Sequence, residues 1–582
     1  MNEVQAATEQ QSERHFWGLR EQPFFLILAI LIGVLSGLAV VCFRLTIEFT
    51  RLALLGSSMH PPTWRMLLMP SLAGLIIALL VVRFFPRVRG SGVNQTKAAV
   101  YIYDGYIPFR TVVGKFWLSA LAVGSGHSLG PEDPSLQVGA GLASAIGRRL
   151  GLSRGRVRLL APLGAAAGLA AAFNAPISAV LFVIEEVIGN WSAGVLGAVV
   201  LSAVSSVVVA RWFFGPEPLF QTPQFQLKDP LELSAYAVLG VVGGLVSVLF
   251  VKLVLLARQR LKQLPHWTQY LQPAVAGFLV GVIGIRFSEV MGAGYHSINE
   301  AMHDQYTWQL LLALALAKLL ATMLSFVSGT PGGMFAPTLF MGAMLGGAVG
   351  GVEHIVFPHI TGSVGAFALV GMGTMFAGIL RAPLTSVFMM LEVSGNYEVI
   401  IPVIISNTLA YLVSRSMQKV PIFDALSRQD GLDLPSMEEK REETLLRVED
   451  AMRVPDVPVF LGIQQAGEVR QKLRDSGADH FLISFTDGSW AYGDVLELDK
   501  AGAAARGNEM LVNLWSDARL PHLHPDHPLE IAMRYKDWAV VPVVHRANFA
   551  QLVGLISLAD VLRAYAIGPD HVLEPISLRQ EI

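Results

Sequence analysis

The chain has 582 residues, of which 53% are hydrophobic and 15% charged, with a net charge of −2. Soluble domains carry about 25% charged residues, so this composition, with a mean hydropathy of +0.51, excludes an ordinary soluble protein and predicts a chain that crosses a membrane many times, with length left for a second domain. The single cysteine, Cys42, excludes a disulfide framework within the chain, and no nucleic-acid partner is expected.

Residues 1–19 are polar, with no apolar core ahead of a small-residue cleavage site. They read as a cytoplasmic N-terminal segment rather than a cleaved signal peptide. From about residue 20 to 430 the chain is apolar. Between Ala161 and Ala210 the only charged residues are Glu185 and Glu186, and between Leu311 and Gly351 the only one is Lys318. Short basic loops carry Arg83, Arg87 and Arg89, then Arg148, Arg149, Arg154, Arg156 and Arg158, then Arg415 and Lys419. The positive-inside rule sets these in the cytoplasm. The soluble segment that follows them goes there too, so both termini are expected on that side, and the protein in a bacterial inner (plasma) membrane.

The apolar region contains a repeat, at about 24–215 and 230–427. Gly33, Gly37 and Phe43 match Gly240, Gly244 and Phe250 at an offset of 207. Pro70 and Gly74 match Pro273 and Gly277 at 203, and Gly90-Ser91-Gly92 matches Gly292-Ala293-Gly294 at 202. Lys115, Ser125, Gly126, Pro134 and Gly139 match Lys318, Ser328, Gly329, Pro337 and Gly342 at 203; Ala175-Pro176 and Glu185 match Ala382-Pro383 and Glu392 at 207. Such halves mark transporter folds, often of inverted topology, with a midplane site built from broken helices. The interrupted segments are GSGVN (90–94), GPEDP (130–134), GAG (292–294) and GGMFAP (332–337). Irregular backbone at membrane depth is tolerated only where it is buried or lines a cavity. Half-helix N-termini exposed there suit an anion. The expected fold is therefore an α-helical polytopic membrane protein of two inverted repeats with re-entrant helices.

Four patches together resemble the CLC family of chloride channels and chloride/proton antiporters: GSG at 90–92, G-x-E-x-P at 130–134, GGMFAP at 332–337 and GLAAAFNAPISAVLFVIEE at 168–186. The resemblance covers roughly residues 20–430. It implies a homodimer in which each subunit holds its own pore. It assigns the Ser91 hydroxyl and the backbone amides of Met334 and Phe335 to chloride, with Phe423 where the family usually has a pore-facing tyrosine. It makes Glu132 the external gating carboxylate, which enters the anion path and takes the proton. It makes Glu186 the internal proton-transfer glutamate of the antiporters. The residue chemistry agrees. A carboxylate in an anion path competes with the anion when ionised and withdraws when protonated, and ionisable groups inside a membrane serve as proton relays. Hydroxyl and amide donors suit a monovalent anion that must also leave. The competing role for Glu132 and Ser91 is helix capping, and Glu185, matched by Glu392, reads as structural.

The chain departs from the family pattern in three places. GSGVN has Asn94 where relatives commonly have proline. GPEDP replaces a basic residue and a glycine by Pro131 and Asp133, which sets a second acid beside Glu132. Phe423 lacks a hydroxyl donor.

After a linker at 431–445, residues 446–570 read as soluble α/β sequence in two similar parts, about 446–505 and 513–570, ahead of a tail at 571–582. Each part opens with an amphipathic start (Val448–Met452, Leu529–Met533) and continues in apolar β-rich stretches; the second closes on Gly-Leu-Ile-Ser-Leu-Ala-Asp, 554–560. This resembles a tandem pair of CBS domains. The resemblance puts Ser557 near phosphate and Asp560 on ribose hydroxyls of ATP, ADP or AMP, with no cofactor required for transport. The expected function is chloride/proton antiport. A passive voltage- or pH-gated chloride channel is the alternative on the same fold. From other classes, a membrane enzyme using Glu132/Asp133 or Glu185/Glu186, or a transport-dead sensor, remains. No HExxH, Cys/His cluster or serine-nucleophile elbow supports an enzyme.

Overall fold

In lipid, backbone N–H and C=O groups find no solvent partner, so a chain this apolar resolves into helices. The computed structural model describes residues 21–565 apart from 59, 190–192, 223–228, 359–361, 433, 438–445, 504–507, 516–518 and 547. The expected N-terminal segment (1–19), residues 438–445 of the expected linker and the expected tail (571–582) lie outside the described residues. The chain divides into two compact units, Met1–Met437 and Glu438–Ile582.

Among the described residues of the first unit, eight helices are long and apolar enough to cross a membrane. Its first half runs α1 (Glu21–Leu54), α2 (Thr63–Arg83), α3 (Gly92–Tyr101), α4 (Phe109–Gly124), α5 (Glu132–Arg149), α6 (Arg154–Phe173), α7 (Pro176–Phe182) with a π-turn at Val183–Ile188, and α8 (Ala193–Phe214). The second half repeats it as α9 (Glu232–Lys262), α10 (Gln272–Arg286), α11 (Tyr295–Met302), α12 (Trp308–Val327), α13 (Phe335–Val356), α14 (Val364–Leu380), α15 (Pro383–Ser394) and α16 (Ile400–Met417). Helix α17 (Ile422–Gln429) closes the unit. With 10 and 8 residues, α3 and α11 reach only about 15 and 12 Å. The hydrocarbon core is about 30 Å thick, so neither can cross it alone.

The halves meet through matching residues. Gly130 and Gly333 exchange both N–H···O bonds at 2.9 Å as an antiparallel pair, so equivalent loops run in opposite directions where the halves meet, as inverted repeats require. Glu185 accepts from the Thr385 amide (2.9 Å) and hydroxyl (2.6 Å) at the start of α15. Its match Glu392 accepts from the Ser178 amide (2.7 Å) and hydroxyl (2.6 Å) at the start of α7. Each half thus caps a helix of the other, which satisfies amides that would otherwise be orphaned. Within each half, close backbone approach sets the helix pairing. A Cβ on Gly139 would lie 2.1 Å from the Gly164 carbonyl oxygen, and one on Gly164 equally near that of Gly139. Gly342 and Gly371 repeat the contact between α13 and α14 at 2.3 Å. Small residues at such crossings are the usual device of membrane helix packing.

The second unit is built twice on one order. First come β1 (Val459–Leu461), α18 (Ala466–Ser476), β2 (His480–Ser484), β3 (Trp490–Asp494) and α19 (Val495–Ala503). β1 pairs parallel with β2, and β2 antiparallel with β3. Then a parallel bridge from Leu523 to Val543, a 3₁₀ helix (Leu529–Tyr535), antiparallel β4 (Val541–His545) and β5 (Asn548–Ile556), and α20 (Leu558–Ala564) repeat it. Trp490 joins the two parts: its ring packs with Leu482, Leu520, Val544 and Leu555, and its indole N–H donates to the Phe549 carbonyl at 2.8 Å.

Gly139→Val or Gly342→Val should separate α5 from α6, or α13 from α14. Overpacking of this kind costs about 1–3 kcal/mol. Thermal unfolding in detergent should show a lowered Tm for either; wild-type stability in both would contradict the close crossings.

Candidate functional site

Four helices begin at one place: α3 at Gly92, α5 at Glu132, α13 at Phe335 and α17 at Ile422. Their first-turn amides lack intrahelical acceptors, and their dipoles add positive potential there. Glycine- and proline-rich sequence ahead of α3, α5 and α13, and Pro421 ahead of α17, breaks the chain at these starts.

Glu132 is fully buried. One of its carboxylate oxygens accepts from the Tyr295 hydroxyl, and the other from the Ala336 amide at 3.4 Å. It therefore lies across the starts of α11 and α13, both from the second half. Asp133, equally buried, faces the first half. It accepts from the Ser91 hydroxyl at 2.8 Å and from the Gly92 amide. The Ser91 hydroxyl also caps α3 by accepting from the Val93 amide at 3.1 Å. The two acids are neighbours in sequence and occupy different donor sets in space.

Met334 and Phe335 are buried beside them. The Phe335 ring meets Phe182 edge-on at 5.0 Å, stacks near Phe376 at 5.7 Å and lies 6.4 Å from Phe423. The Phe423 carbonyl accepts from the Asn94 side chain at 2.9 Å, so Asn94 ties α3 to α17. The site thus brings together Ser91, Glu132, Met334, Phe335 and Phe423.

Glu186 lies in the π-turn, a feature frequent at functional sites. Lys97 of α3 donates to it at 3.3 Å and to Asp424 of α17 at 2.8 Å. All three side chains are buried, so the Lys97 ammonium neutralises part of two carboxylate charges away from water. Ser557 and Asp560 belong to the second unit. They form a reciprocal capping box at the start of α20, with the hydroxyl donating to the carboxylate at 2.6 Å. Asp560 also pairs with Arg453 at 3.4 Å.

Two lysines lie behind the glycine loops. Lys115 donates to the Gly90 carbonyl at 2.7 Å, and its match Lys318 to that of Gly292 at 2.7 Å. Both are fully buried. A cavity of about 530 Å³ reaches Ser91 and Asn94 from a mouth carrying Arg87, Arg89, Arg258 and Lys262. A second, of about 850 Å³, reaches Pro131, Gly294 and Tyr295. It carries Arg44, Arg51 and His60, so it opens beside the short link between α1 and α2. Because α2 spans from that link back to Arg83, the two cavities open on opposite faces. Among the described residues no group of three His, Cys, Asp or Glu side chains is arranged to hold a metal ion.

Tyr295, Lys97 and Asp424 are absent from the residues singled out by sequence. Tyr295 had a signal: it follows the GAG segment that matches GSG. Lys97 and Asp424 had none, because their partner Glu186 is brought to them only by the fold.

Replacing Lys97 by Met should leave Glu186 and Asp424 as buried like charges, at a cost of about 3–5 kcal/mol. Adding Asp424→Asn should recover part of the lost Tm. Equal stability of wild type and Lys97→Met would contradict a shared ion pair.

The description "Voltage gated chloride channel" matches residues 73–415, more than half of the chain. A provisionally named ClcB-like chloride channel protein from Ralstonia nicotianae is 33% identical over 427 residues, which cover 70% of this chain and 99% of that protein. The H(+)/Cl(−) exchange transporter ClcA of Vibrio vulnificus is 34% identical over 421 residues, 69% of this chain and 88% of the transporter. The crystal structure of a eukaryotic CLC transporter superposes with a TM-score of 0.60 at 19% identity, over 92% of this chain and 97% of that one. That likeness is one of fold, and it reaches into the second unit. A site made of opposed helix starts, built by two inverted halves and matched along this length, makes the chain a multi-pass membrane protein of the voltage gated chloride channel (CLC) family.

Proposed function

We propose that this protein exchanges chloride for protons, with Glu132 as the group that both ions contest. The observation that carries the reading is the position of the Glu132 carboxylate on the Ala336 amide at the start of α13. Ionised, it holds donors that a chloride needs. Protonated, it loses most of its attraction to them and frees the place for the anion. One group therefore couples the ions by mutual exclusion. Tyr295 steadies the inward position through its hydroxyl. Phe335 and Phe423 close the surroundings with rings rather than water. Glu186, buried in the ion triad with Lys97 and Asp424, serves as the inner proton carrier. The antiport named for the Vibrio vulnificus relative supports the same reading.

By the positive-inside rule, the cavity mouth with Arg87, Arg89, Arg258 and Lys262 faces the cytoplasm. The second unit follows Arg415 and Lys419 on that side. Its doubled β-α-β-β-α order supports a CBS pair; the homodimer and the bacterial inner membrane belong to this reading through the likeness to bacterial relatives alone. The Ser557–Asp560 capping box uses one Asp560 carboxylate oxygen, and an adenine nucleotide would place its ribose hydroxyls on the other. The passive channel differs in one measurable respect: it moves chloride without protons.

With purified full-length protein in planar bilayers under opposed chloride and pH gradients, the reversal potential should move with pH. A pure chloride Nernst response would instead establish a channel. Glu132→Gln, which cannot ionise, should lose proton movement by tenfold or more while chloride still flows. Proton flux surviving in that variant would overturn the assignment of Glu132.

A further inference from the structure

We infer that Asp133 is a tethered anion in the transport path: its carboxylate fills the donor set that Ser91 and the first turn of α3 present to chloride, and chloride reaches Ser91 only by displacing it. This rests on the exchange reading above. Helical geometry turns successive residues by about 100°, so Glu132 and Asp133 at the start of α5 point to different neighbours. Glu132 takes the donors of the second half, Tyr295 and Ala336. Asp133 takes those of the first, Ser91 and Gly92. The path thus carries two carboxylates, one for the donors of each repeat.

The fit around Asp133 is specific. A Cβ on Gly92 would lie 2.5 Å from the Asp133 carboxylate, and one on Gly333 would lie 2.5 Å from the Asp133 Cβ. Both glycines leave the room that the side chain needs. Capping alone does not explain the acid. In the second half Ala293 matches Ser91 and Ala336 matches Asp133, yet α11 forms at the corresponding place with no side chain hydrogen-bonded as its cap. Ser91 lines the basic-mouthed cavity. An anion drawn along it therefore arrives at a hydroxyl already committed to a carboxylate. Ser91 donates one hydrogen bond, so chloride and Asp133 cannot both receive it.

Chloride binding to the purified full chain, by isothermal titration, and the chloride dependence of flux in proteoliposomes test this. Asp133→Ala should tighten chloride binding by about tenfold, since charge-assisted hydrogen bonds are the strong ones. Asp133→Asn, which keeps the shape and loses the charge, should act in the same direction to a smaller extent, and it serves if the alanine variant does not fold. Ser91→Ala added to either should erase the gain. Chloride affinity unchanged or weakened in a folded Asp133 variant would overturn the proposal and leave Asp133 a cap. Absence of chloride-coupled proton flux in the wild type would instead defeat the exchange reading. The binding isotherms would still report on Asp133 in that case.

Discussion

The antiparallel exchange of hydrogen bonds between Gly130 and Gly333 is the contact on which the rest depends. Two loops at membrane depth satisfy their backbone on each other, where lipid offers nothing. That pairing holds the starts of α5 and α13 together and leaves their first-turn amides aimed inward. The reciprocal caps of Glu185 on α15 and Glu392 on α7 do the same work away from the site. Inversion is thus a way to let each half complete the hydrogen bonding of the other.

Charge at the centre follows from this frame. Broken helices supply positive potential without full cations, and Lys115 and Lys318 stay occupied by the carbonyls of the loops behind them. The acids of the site use the donors so made available. Glu132 and Asp133 divide them between the halves, and Glu186 shares Lys97 with Asp424. Buried carboxylates are tolerated here because each has charged or strongly polar partners.

Much of the fold was legible because repetition is a property of sequence. Glycine and proline at offsets near 203 and 207 located both halves and all four helix breaks. The close crossings at Gly139 and Gly342 were visible as matched glycines, and Glu392 stood out as the counterpart of Glu185. The Asp133 contact was not legible. Two adjacent acids look alike in sequence, and only the helical turn and the approach of α3 send one to Ser91 and the other to Tyr295. The same holds for Lys97, an unremarkable lysine on a short helix until the π-turn brings Glu186 against it.

By itself, the sequence determined that the chain crosses a membrane in two related halves, where its helices break, and that an α/β unit follows. Those features depend on apolar periodicity and on Gly and Pro, which act locally. Only the tertiary structure decided which donor each carboxylate holds. Partners such as Asp133 with Gly92, Glu132 with Ala336 and Lys97 with Asp424 lie 41, 204 and 327 residues apart, and a pairing over such distances is set by helix packing rather than by any local pattern.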